Sequence, residues 1–103
     1  MSAKLYKKFT RYLDENAYIQ VLIWEVDPAI LGSKHGFKYS MAYVVSGTCV
    51  MRYDNERGKG DHKHIGVDEF STTFISIDGL FADFLSDVET IRKEKAHHEN
   101  RND

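Results

Sequence analysis

The sequence predicts an α+β fold: an antiparallel sheet of four to five strands followed by one C-terminal helix packing on the sheet. Three observations carry this. The first two-thirds of the chain is broken into short runs rich in β-branched and aromatic residues. Two of those runs flank Ser46-Gly47, a plausible two-residue hairpin turn. Sustained three-and-four apolar spacing appears only near the end, from Ile77 to Ile91.

Taken in order, Leu5 to Leu13 alternates loosely and stops at the turn cluster Asp14-Glu15-Asn16. Ala17 to Asp27 places Ile19, Val21 and Ile23 on one side and Tyr18, Leu22, Trp24 and Val26 on the other. A strand apolar on both faces belongs at the centre of a sheet or against a second subunit. Pro28 to Gly36 connects to the hairpin. There, uniform pairing from Val45 opposite Thr48 sets Tyr43 against Val50, Met41 against Arg52 and Tyr39 against Asp54. A short strand around His62 to Val67 follows. Ser76 suits a helix N-cap, Asp78 suits the positive end of the helix, and Ile77, Leu80, Phe81, Phe84, Leu85, Val88 and Ile91 form one stripe. Residues 1–96 read as one α+β domain, and 97–103 as a polar tail fraying after Lys95.

The totals exclude several function classes. A length of 103 residues suffices for one core without disulfides or a metal. The formal charge of −2 argues against coating nucleic acid by bulk attraction, so any phosphate must be met by a local patch. The lone cysteine, Cys49, sits in an apolar run and reads as a small buried hydrophobe in a reducing compartment. With no apolar signal core and no membrane-length stretch, a cytoplasmic protein without a membrane partner is expected.

Chemistry concentrates in Arg52 to Gly66, RYDNERGKGDHKHIG. On an extended segment His62 and His64 point to the same side, about 7 Å apart along the backbone. Three readings stand side by side. The histidines are acid and base in a metal-independent phosphodiester cleavage, with Arg52 or Lys59 stabilising the growing phosphoryl charge. Or they ligate a metal, for which a third ligand is needed, Asp54 being the one in view. Or they are ordinary hydrogen-bonding histidines. We assign His62, His64, Arg52 and Lys59 as catalytic candidates, with no metal and no cofactor. Gly58-Lys59-Gly60 reads as an anion cradle or simply as a hairpin loop. Asp54 is expected to pair with Arg52 and orient its guanidinium. Tyr53 can stack on a base or pack in the sheet. Asn55 and Lys63 complete the binding set. His35, His97 and His98 have no partner that the sequence names.

Arg52-Tyr53-Asp54-Asn55, followed by Gly58-Lys59-Gly60-Asp61-His62-Lys63-His64, resembles the signature of the small bacterial and archaeal TumE-type toxins. The likeness runs from about Tyr18 to Val88, through VLIWEV, YSMAYVV and FADFLSDVE. The motif positions carried over are Arg52, Tyr53, Asp54, Asn55, Gly58, Gly60, His62 and His64. Lys63 stands where arginine is at least as frequent, keeping the charge but losing a bidentate fork. The resemblance implies a toxin–antitoxin pair with a helix-turn-helix DNA-binding antitoxin or regulator as partner. A ribonuclease acting on RNA is the expected activity. The other reading is a non-enzymatic module that docks the DNA-binding partner through the same charged stretch. The doubly apolar strand and the helix stripe ask for extra cover, so a homodimer is expected.

Overall fold

The computed structural model describes residues 2–100, with side chains from 2 to 96. Six strands form one antiparallel sheet in simple chain order: β1 (Ser2–Tyr12), β2 (Ala17–Asp27), β3 (Phe37–Val45), β4 (Thr48–Glu56), β5 (Gly60–Ile65) and β6 (Asp68–Ser71). The helix α1 (Ile77–Asn100) follows. The fold is thus α+β with an antiparallel sheet, as expected, with one strand more than the upper expectation. The extra strand is β6. Its four residues, Asp-Glu-Phe-Ser, are all exposed, so no alternation of apolar and polar residues announced it. The chain separates into a sheet unit, Met1–Thr73, and a helix unit, Phe74–Asp103.

In the sheet unit, β2 divides as its sequence predicts: Ile19, Val21 and Ile23 are buried, while Tyr18, Leu22 and Trp24 are half-buried. The Ser46-Gly47 turn forms with both residues at positive φ, 49° and 79°, the geometry that matches the twist of a tight hairpin. Its register then departs from the expectation. Val45 faces Thr48 and Val44 faces Cys49, but Tyr43 faces Met51, so Val50 is an extra residue on β4. Beyond this bulge Ala42 meets Arg52, Met41 meets Tyr53 and Ser40 meets Asp54. Uniform pairing would have set Arg52 and Asp54 on the face of Tyr39, Met41 and Tyr43, all buried. Unpaired charges there would cost several kcal/mol. The bulge instead turns Met51 and Tyr53 to that face and sends the charged pair to the other. Cys49, expected to be buried, is exposed; it lies just after the turn, at the end of the hairpin.

The helix unit begins as its sequence predicts. Ser76 Oγ accepts from the Gly79 N–H at 3.0 Å, and the Ser76 carbonyl accepts from Leu80 N–H at 2.9 Å. Leu80, Phe84 and Val88 are buried, and the other stripe positions, Ile77, Phe81, Leu85 and Ile91, are intermediate. The chain expected to fray after Lys95 continues as helix to Asn100. The rest of the tail, 101–103, lies outside the described residues, as do the side chains of His97 and His98. Among the described residues no helix is long and apolar enough to cross a membrane.

Candidate active site

Strand pairing builds the site in rows. Directly paired residues of an antiparallel sheet share a face, so Ala42, Arg52, His64 and Glu69 form one row and Ser40, Asp54, His62 and Ser71 the next. Glu56 lies one step further along β4, opposite Gly60. The face freed of apolar side chains by the Val50 bulge therefore collects both imidazoles, two carboxylates and a guanidinium. They border an open cleft of about 390 Å³ lined by Cys49, Val50, Met51, Arg52, Asp54, Glu56, His64 and Gly66.

The two histidines are not equivalent. His62 is 3% exposed, whereas the His64 side chain is 35% exposed, and their rings meet edge to face at 4.8 Å. His62 Nδ1 lies 3.0 Å from the Gly60 carbonyl oxygen. A carbonyl only accepts, so Nδ1 carries the proton and Nε2 is left with a lone pair. That Nε2 stands 2.8 Å from Asp54 Oδ1, yet neither buried atom makes an aligned hydrogen bond. Asp54 Oδ1 is also 3.8 Å from His64 Nε2, and Glu56 Oε1 is 3.8 Å from His62 Nε2.

The β4–β5 turn holds this arrangement by a close backbone contact. The Gly58 N–H donates to the Leu31 carbonyl at 2.6 Å, and a Cβ on Gly60 would stand 3.0 Å from the Gly32 carbonyl oxygen. The Lys59 N–H donates back to the Glu56 carbonyl at 3.1 Å. Two of the three amides offered as an anion cradle are thus bound within the backbone, and this turn has a packing reason for its glycines. The Lys59 ammonium lies 3.8 Å from Glu56 and 3.4 Å from Glu69, in half-exposed pairs.

The remaining candidates face the other way. Tyr53 is buried, with Lys63 Nζ 5.6 Å above its ring, a cation–π contact. Asn55, 1% exposed, accepts from Tyr39 N–H at 3.0 Å and donates to the Phe37 carbonyl at 2.7 Å. It closes the end of the β3–β4 ladder with its side chain. Beside it stands a second cluster: Asp61 Oδ1 accepts from the Tyr39 hydroxyl at 2.6 Å and lies 2.9 Å from His35 Nε2. His35 Nδ1 accepts from Phe37 N–H at 3.2 Å, so Nε2 carries the proton that Asp61 receives. Burial, then the Asp61 carboxylate, push the Tyr39 hydroxyl well above the ordinary tyrosine range.

Of the ten expected site residues, Arg52, Asp54, His62 and His64 come together. Lys59 borders them through Glu56, Gly58 and Gly60 shape the turn, and Tyr53, Asn55 and Lys63 lie on the opposite face. Asp54 is turned to the imidazoles, where the sequence had suggested a pairing with Arg52. Glu56 was missed although alternation from Arg52 and Asp54 puts it on their face. His35 and Asp61, 26 positions apart, left no local signal.

A family model described as Toxin TumE matches residues 3–92. No curated protein matches the chain. No solved structure matches it.

Proposed function

Because the chain belongs to the Toxin TumE family, we propose that it is the toxin of a toxin–antitoxin pair and acts as a ribonuclease at the cleft on β4 and β5. One observation carries the reading: a guanidinium, an accessible imidazole and two carboxylates converge around an open cleft on one face of the sheet. Such a site can hold a phosphodiester and organise its cleavage. Arg52 is the residue for the phosphate, since its planar fork can bind two phosphoryl oxygens at once. His64 is the imidazole that can meet a substrate. His62, packed behind it, is a positioning residue that acts through Asp54 and His64. Lys59 adds positive potential at the rim.

A toxin implies a cognate antitoxin, and we assign that role to a helix-turn-helix DNA-binding protein. The exposed Val67 and Phe70 at the β5–β6 edge offer it apolar contact area. The same reading makes the protein cytoplasmic, where RNA is reached. It also makes it a homodimer, for which the exposed Leu5, Tyr6 and Tyr12 of edge strand β1 provide a surface.

The test is induction of this chain alone in a bacterial host, beside a His64→Ala variant shown to be folded. Arrest by the parent chain but not the variant, with cleaved cellular RNA, is the expected outcome. Unimpaired growth with soluble, folded parent protein would overturn the toxin reading in that host and favour the docking module.

A further inference from the structure

We infer that Asp54, Glu56, His62 and His64 form a binding site for one divalent first-row transition-metal ion. One ligand atom from each lies within 4.8 Å of all the others. A cluster of this kind is often no more than a set of neighbouring charges. Here the buried side chain of His62 decides the matter. Its Nδ1 proton is committed to the Gly60 carbonyl, so its Nε2 lone pair faces the Asp54 carboxylate, itself only an acceptor, across 2.8 Å. Both atoms are buried and neither has an aligned donor. Two lone pairs held face to face repel unless a cation is shared between them. A ring N–H anchored on a backbone carbonyl is also the outer-shell arrangement that aims the other ring nitrogen at a metal.

Distances and charge agree. Metal–ligand bonds of about 2.1 Å in a tetrahedral site put neighbouring ligand atoms roughly 3.4 Å apart. The separations of 2.8, 3.8 and 3.8 Å among Asp54, His62, Glu56 and His64 straddle that value. Two carboxylates and two neutral imidazoles carry a charge of −2, which one divalent ion cancels. Mixed imidazole and carboxylate donors suit zinc, manganese or iron and disfavour the softer ions that want thiolates. Glu56 must leave its 3.8 Å approach to Lys59, and a half-exposed pair costs little to part.

This inference rests on the ribonuclease reading for what the site is for, and changes how it works. His64 then meets the substrate through a bound ion, replacing the metal-independent acid–base pair that the sequence suggested. The ion lies beside Arg52 and polarises the phosphoryl oxygen.

The experiment uses the full chain, freed of metal with a chelator and titrated with Co²⁺ while its visible ligand-field absorption is followed. We expect one Co²⁺ per chain, displacement by Zn²⁺, and binding kept in His97→Ala/His98→Ala. Affinity should fall at least about tenfold in His64→Ala and in Glu56→Gln. Both variants change residues that are not fully buried, and circular dichroism verifies their fold. Absence of one-to-one binding by folded protein would overturn the site. So would binding untouched by His64→Ala and Glu56→Gln, or binding lost with the tail histidines. Growth arrest without Co²⁺ binding would remove the metal and leave the ribonuclease. Co²⁺ binding without arrest would keep the metal and remove the ribonuclease.

Discussion

Asn55 and Tyr39 show how single polar side chains hold the interior of the sheet unit. Asn55 satisfies two backbone groups of β3 at once, so Asn55→Leu leaves a donor and an acceptor buried without partners. Its expected cost is roughly 2–4 kcal/mol, read from urea unfolding midpoints. Tyr39 makes a testable pH signature. Its folded pKa is raised, so the folded state favours the neutral hydroxyl. The stabilisation is complete below the unfolded tyrosine value of about 10 and is lost as pH rises toward the folded value. Stability of the parent chain should therefore fall above about pH 10 more steeply than that of Tyr39→Phe. Parallel slopes would count against this role. At neutral pH Tyr39→Phe should cost about 1–2 kcal/mol through loss of the bond to Asp61.

At the scale of elements, the β4–β5 turn makes a controlled comparison with the β3–β4 turn. Gly47 and Gly60 have similar φ, 79° and 75°, but only Gly60 has backbone within 4 Å of where a Cβ would stand. Gly47→Ala should cost about 1 kcal/mol from conformation alone, and Gly60→Ala at least about 1 kcal/mol more from the Gly32 contact. Equal losses would show that the two segments yield freely to each other. What the sequence revealed divides along the same line. Strands β2 to β5 and the capped helix were legible because each carries its own periodicity or turn chemistry. The His62–His64 alignment was legible for the same reason, since side chains two apart share a face. The Val50 bulge was not, because alternation alone cannot say where a strand takes in an extra residue. Asp61, Tyr39 and His35 escaped notice because their contact is made only once β3, β5 and the intervening loop are assembled.

For the whole molecule, a formal charge of −2 leaves RNA to be held by a few local contacts. The salt dependence of RNA binding should then be shallow. Arg52→Gln should weaken binding and reduce its slope by about 0.7, the share of one phosphate contact on a single strand. An unchanged slope would remove Arg52 from the phosphate. The proposed homodimer predicts twice the chain mass by sedimentation at micromolar concentration, and a monomer would exclude it. The bulge at Val50 carries one more consequence, for molecules that differ from this one in length. Deleting that single residue alters no charge and removes only one methyl-bearing side chain. Yet it puts β4 out of phase with β3 and turns Arg52, Asp54 and their partners His62 and His64 toward the oily side of the sheet. Such a hairpin can absorb many changes of spelling and almost no error of counting.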